Sequence, residues 1–231
     1  MKEEAHFDWT DYITKLTDLP SLGARWEKDM VNEIADKISE GKIERILEVG
    51  CSNGRWLRWF CKEYNCETYG IDNNSAGFQK RDINFTVGDA FRLPYRDNFF
   101  DAVFSKGFLE HFKKHERFLL LKEETRVLKN DGFLICVIPP LGFSLELLYV
   151  KYCDFRCGGK HHEITDQEFR NFLDTLNVKI ISSRFLGWFF ERFQRRLRFK
   201  IPKLFDSRFT SNDYILIGVK EKISYSNMHQ K

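Results

Sequence analysis

The chain lacks an excess of charge of one sign: 37 Lys and Arg stand against 34 Asp and Glu, a formal net charge of +3. A global polycation is thereby excluded, and any nucleic-acid or membrane contact must come from a local patch. Proline and glycine are scarce, at 5 and 14 of 231 residues, which excludes collagen-like and low-complexity chains. No apolar run is long and clean enough to read as a membrane span. The longest, Phe133 to Val150, is interrupted by Pro139-Pro140, Gly142 and Glu146. Met1 to His6 has no apolar core of an export signal, so a cytoplasmic chain with reduced cysteines is the expectation. What is plentiful is aromatic surface, 16% of residues with 23 Phe, enough for one well-packed domain of this length.

Periodicity organises the chain into alternating elements. Trp26, Met30, Ile34 and Ile38 recur every fourth residue and predict an amphipathic helix from Arg25 to Ser39. Short apolar runs predict strands at Arg45–Val49, Glu67–Ile71, Ile83–Val87, Asp101–Ser105, Phe133–Ile138, Val178–Ser182 and Tyr214–Val219. Helices are expected between them at Arg55–Tyr64, Glu116–Leu128 and Asp166–Leu176, the last capped by Thr165 with Glu168 as capping-box partner. Strand–helix alternation with apolar strands implies a doubly wound α/β fold, a mostly parallel sheet covered on both faces in three layers.

In such a sheet ligands bind beyond the carboxyl ends of the strands. The unusual residues fall on that edge. Gly50 and Gly54 follow the first strand and precede a helix, where a missing Cβ permits a tight turn and a close backbone approach. Asp72, 22 residues after Gly50, ends the second strand and could accept from both hydroxyls of a ribose. Asp89 follows the third strand, where a carboxylate could accept from an exocyclic amine. The spacing Glu48-x-Gly50-x-x-x-Gly54 is not the G-x-G-x-x-G of a dinucleotide fold, and Glu48 would repel phosphate while suiting an ammonium group.

The run Ile46-Leu47-Glu48-Val49-Gly50-Cys51-Ser52-Asn53-Gly54 resembles the first motif of class I S-adenosylmethionine-dependent methyltransferases. Gly70-Ile71-Asp72, Gly88-Asp89-Ala90-Phe91-Arg92-Leu93-Pro94-Tyr95, Phe99 to Ser105 and Leu128 to Leu134 are similar, in order, to the later motifs of the ubiquinone/menaquinone-biosynthesis-like (type 11) branch. The resemblance covers residues 42–140. It implies a Rossmann-like sheet of seven strands in the order 3-2-1-4-5-7-6 with one antiparallel strand, and S-adenosyl-L-methionine as cofactor. Glu48 and the Gly50 backbone would hold the methionine moiety, Asp72 the ribose, Asp89 with Ala90 the adenine edge, Ser105 would lie near the sulfonium, and Cys51, Gly54 and Asn73 would also line the cofactor. Ser52 stands where the family most often has glycine. The whole chain then reads as one domain: a helical cap over 1–41, a cofactor-binding core over 42–140 and an acceptor-side region over 141–220.

A general base is needed only if the acceptor must lose a proton. His111, in Phe108-Leu109-Glu110-His111-Phe112, and His162, before the Thr165 helix, are the candidates, each with a plain structural or solvated alternative. Cys153, Cys157, His161 and His162 crowd enough metal-ligand types into ten residues to raise a zinc site, although the spacing is not a zinc framework and no metal is the expectation. Between the last two strands, residues 183–210 form a basic aromatic insertion. From Lys179 to Lys203 eight basic residues face one acid, and Leu186, Phe189, Phe190, Phe193 and Leu197 predict an apolar helical stripe. That stripe could pack on the domain, lie on a membrane surface through 185–203, or contact RNA, the least favoured. The expected activity is methyl transfer to a small-molecule acceptor, with lipid-linked and glycan-related compounds among the candidates. The alternative is a non-catalytic cofactor-binding or RNA-binding scaffold.

Overall fold

A computed structural model describes residues 25–38, 43–74, 83–139, 161–186 and 213–222. Seven strands form one sheet in the order β3-β2-β1-β4-β5-β7-β6. They are β1 (Arg45–Val49), β2 (Glu67–Asp72), β3 (Asn84–Val87), β4 (Phe100–Lys106), β5 (Leu128–Ile138), β6 (Val178–Leu186) and β7 (Asp213–Lys220). The pairings β1–β2, β1–β4, β2–β3 and β4–β5 are parallel, and β7 runs antiparallel to both β5 and β6. The order expected from the sequence is therefore the one observed, with β7 as the reversed strand.

Burial on both faces explains why the central strands read as unbroken apolar runs. One face carries Leu47, Val103, Leu134 and Leu216 and is covered by α3 (Lys114–Val127) and α4 (Asp166–Thr175) through Leu120, Leu121, Phe169 and Leu173. The other carries Ile46, Phe104, Val137 and Ile217 and is covered by α1 (Arg25–Ile38) and α2 (Arg55–Tyr64) through Met30, Ile34, Leu57 and Phe60. The helix expected as a cap is thus a layer helix. Its Glu33 accepts hydrogen bonds from Ser182 and, at 2.8 Å, from Arg184 on β6.

Several expected boundaries shift. α3 starts at Lys114 and stops at Val127, and β5 begins at once with Leu128; Lys129–Gly132 keep turn character inside the strand, with Asp131 at a φ of 63° and the register with β4 jumping from Leu128 to Phe133. There Leu128 pairs with Phe100 across a bulge. β6 runs to Leu186 rather than Ser182, paired with β7 through one register shift between Ile180 and Ser182, and buries Leu186 in the sheet. Leu186 therefore belongs to a strand and not to the helical stripe. The remainder of that stripe, and of the 185–203 membrane or RNA surface, lies outside the described residues. No helix among the described residues is long and apolar enough to cross a membrane.

One core residue contradicts its surroundings. Glu124 on α3 is 1% exposed, and neither carboxylate oxygen has a partner among the described residues. Burial alone pushes its pKa up to about 8. An acid whose folded pKa lies above its unfolded value favours folding at low pH and loses that advantage as pH rises between the two values. Glu124→Leu is accordingly expected to raise the melting temperature at pH 8 and to change it far less at pH 5. Replacement of a buried charge by an apolar group is commonly worth about 1–4 kcal/mol at the higher pH.

Candidate cofactor and acceptor site

The glycine turn is built from three departures from ordinary backbone. Gly50 and Gly54 take φ of 70° and 67°, and Ser52 between them takes 48°. A Cβ on Gly50 would come within 2.5 Å of the Phe108 ring, so the turn can lie under that ring only as glycine. Ser52 bears a side chain in the left-handed region, at a cost of about 1–2 kcal/mol. Its N–H offsets part of this by donating to Asp72 Oδ2 at 2.9 Å. The departure noted at Ser52 is thus accommodated by backbone strain and a bond across to β2. Cys51 is buried with its sulfur 2.7 Å from where a Gly70 Cβ would stand. Desolvation, with Glu48 and Asp72 nearby, holds its thiol far above the usual range, which makes it a packing residue and not a nucleophile.

Glu48 defines the chemistry of this turn. It is 3% exposed, and its carboxyl accepts from the Leu57 backbone N–H in the first turn of α2. That helix starts at Gly54 with no side-chain cap, so Glu48 serves as a cap from a neighbouring strand. Oε2 has no partner among the described residues. Desolvation pushes the Glu48 pKa well above the carboxylate range, and the nearby Asp72 charge adds to this. A ligand cation placed there would satisfy the orphaned oxygen and return the group to its charged form.

Asp72 ends β2 with Oδ2 on Ser52 and Oδ1 accepting from Asn74 at 2.9 Å, each oxygen keeping a free lone pair. It therefore shapes the turn as well as facing the crevice, and Asn73 beside it is exposed. Asp89 is exposed, with Oδ1 accepting from Phe91 N–H at 2.9 Å in a side-chain-closed turn, and Ala90 packs half-buried against the core. Ser105 lies inside β4, one residue before its end, buried opposite Cys136 of β5. It faces the core at the edge of the crevice rather than projecting from the strand end.

On the acceptor side the structure brings together residues that the sequence did not connect. The turn Leu109–His111 follows β4, and the His111 ring lies 4.5 Å from the ring of His161. His162 is held through its backbone, donating to the Glu110 carbonyl at 2.7 Å, so the partner of His111 is His161. Glu110 between them is 4% exposed, and burial pushes its pKa up to about 7. Arg117 fastens the two segments. Its buried guanidinium bonds Glu168 Oε1 at 3.0 and 2.6 Å, the Phe112 carbonyl at 2.6 Å and the Glu163 carbonyl at 3.1 Å. The Thr165 cap forms as expected, accepting from Glu168 N–H, whereas the Glu168 side chain expected to complete a capping box is bonded to Arg117. Glu110 and Arg117 carried a signal that went unread: charged residues within the apolar pattern of Phe108 to Leu121. Cys153 and Cys157 lie outside the described residues.

Strand order and glycine turn are together those of the class I methyltransferase fold. Residues 47–136 match the family described as Methyltransferase domain, the type 11 methyltransferase family. It is 38% identical over 105 residues to a fatty-acid O-methyltransferase of Mycolicibacterium smegmatis, covering 42% of this chain and 36% of that protein. It is 31% identical over 134 residues to a putative 23S rRNA (guanine-N(1)-)-methyltransferase of Bacillus subtilis, covering 52% and 44%. The matches thus span less than half the length of these curated relatives. A solved S-adenosylmethionine-dependent methyltransferase of Archaeoglobus fulgidus superposes with a TM-score of 0.66 at 21% identity, over 84% of this chain and 94% of that one. The cofactor of this class is S-adenosylmethionine, and the residues present fit it, with an orphaned buried carboxylate oxygen for its ammonium group and a turn that excludes side chains.

Asp72→Ala is expected to weaken S-adenosylmethionine binding by about 1.5–3 kcal/mol, roughly ten- to a hundredfold or more, read by calorimetry. Unchanged affinity would remove Asp72 from the site. Arg117→Met leaves Glu168 facing an apolar side chain and is expected to cost about 3 kcal/mol of stability in a denaturant titration.

Proposed function

We propose that this chain transfers a methyl group from S-adenosylmethionine to a small-molecule acceptor. The observation that supports this best is Glu48, a buried carboxylate with one oxygen unpartnered beside a turn that accepts only backbone. When bound, the cofactor supplies an electrophilic methyl group that needs little further activation. What the chain must do is hold donor and acceptor in line and keep water out, which can account for about 7–11 kcal/mol of a barrier.

The residues divide that work. Glu48 and the Gly50 turn fix the amino-acid end, Asp72 the ribose, and Asp89 with Ala90 the adenine edge. Phe108 roofs Gly50 and stacks edge-on with Phe112, whose ring in turn meets Phe91, an aromatic cover that excludes water from one side. His111 stands at the end of that cover on the same sheet edge, where the acceptor would enter. His162 contributes through its backbone, and His161, rather than the His162 expected from the sequence, faces His111. The fatty-acid relative supports a small acceptor with an oxygen nucleophile, whereas the rRNA relative supports RNA, and the two readings give different products.

Incubation with labelled S-adenosylmethionine and a panel of hydroxyl, carboxyl and amine acceptors is expected to yield S-adenosylhomocysteine with one acceptor class. Glu48→Gln should lower cofactor affinity at least tenfold. Label incorporated into RNA and into no small molecule would overturn the acceptor assignment. Cofactor binding without turnover on any substrate, RNA included, would leave a scaffold.

A further inference from the structure

We propose that Glu110, His111 and His161 form a binding site for one divalent transition-metal ion, best suited to zinc. One ligand atom from each residue lies within 4.8 Å of the other two. Ligands at the usual Zn–N and Zn–O lengths of about 2.0–2.2 Å stand roughly 3.3 Å apart around a tetrahedral ion, so closure asks for side-chain adjustment of an ångström or two. Two imidazoles and a carboxylate are a donor set matched to zinc and similar ions and poorly matched to calcium or magnesium, which prefer oxygen throughout.

A second observation points to a ligand here. Glu110 is 4% exposed, and its Oε2 has no partner among the described residues. A carboxylate oxygen left unpaired costs more than one that is bound, and a cation on it would remove that cost. The surrounding backbone is already fixed for the purpose: His162 N–H on the Glu110 carbonyl and Arg117 on the Phe112 and Glu163 carbonyls hold both segments in place. Lys106, a positive charge that acts on Glu110, has its ammonium group 3.7 Å from Asp213.

Three protein donors leave the fourth tetrahedral position open, the arrangement of sites that bind substrate or water rather than purely structural ones. Its use rests on the methyl-transfer reading above. An acceptor hydroxyl or carboxylate oxygen would occupy the open position, a bound hydroxyl releasing its proton to solvent before its oxygen takes the methyl group. Metal binding itself does not depend on that reading.

The test is calorimetric titration of Zn2+ into the full chain after chelator treatment, with Co2+ absorption spectra on the same material and S-adenosylmethionine affinity measured in parallel. One equivalent of Zn2+ is expected, with tetrahedral-type Co2+ bands. Glu110→Gln, which keeps the shape of the turn, and His161→Ala should each weaken Zn2+ at least a hundredfold while circular dichroism and cofactor affinity stay unchanged. The double variant Cys153→Ser/Cys157→Ser should bind Zn2+ as tightly as the parent. Loss of Zn2+ in the cysteine variant with retention in Glu110→Gln would overturn the site, as would no stoichiometric Zn2+ binding in the parent. Failure of Zn2+ alone leaves the methyltransferase reading standing, whereas failure of S-adenosylmethionine alone sinks that reading and leaves the metal site.

Discussion

A carboxylate taken out of water at the end of β1 is the constraint around which the cofactor side is arranged. Effective desolvation of such a group costs several kcal/mol, and one N–H from a helix end recovers only part of it. Glu48 accepts that N–H from Leu57, which ties the start of α2 to β1 and so fixes where the intervening turn can run. The turn then needs left-handed backbone at Gly50, Ser52 and Gly54, and Asp72 holds the middle of it from the neighbouring strand. Removing the carboxylate would therefore loosen a helix start, a turn and a strand end together.

The acceptor side rests on a different kind of bond. Arg117 is buried as a cation with its fork spread over a carboxylate and two carbonyls, so three chain segments share one charge. Arginine suits this because its planar donors cannot be neutralised and need no water once all are directed. Glu110, His111 and His161 owe their proximity to this arrangement and not to closeness in sequence.

Most of the architecture was legible in the sequence because the central strands are buried on both faces and announce themselves as continuous apolar runs. The seven strands were placed, and the order followed from the motif resemblance. What was misjudged follows from local rules overridden by pairing. Lys129-Asn130-Asp131-Gly132 keeps its turn character, with Asp131 at a φ of 63°, but the strand starts before it, where Leu128 pairs with Phe100. Leu186 fits a helical stripe of period near four, yet β7 extends the ladder over it. At the site, Glu48, Gly50 and Asp72 were recognisable because motif spacing is local. The Glu110–His111–His161 grouping was not, since it depends on a contact across some fifty residues to which Arg117 and the Glu110 carbonyl contribute. Glu124 was passed over as one more charge on a helix, and its burial is a property of how α3 sits on the sheet.

Reversal of β7 has a consequence for how such a domain diversifies. Because β6 ends and β7 begins as register partners, Leu186 opposite Asp213, the long connection between them leaves and re-enters the sheet at a single point. That point is on the same rim as Lys106, which reaches Asp213, and hence beside the mouth of the crevice. Insertions there change what is presented to an incoming molecule without disturbing the half of the sheet that grips the donor. One scaffold can in this way exchange its clientele while its source of methyl groups stays constant.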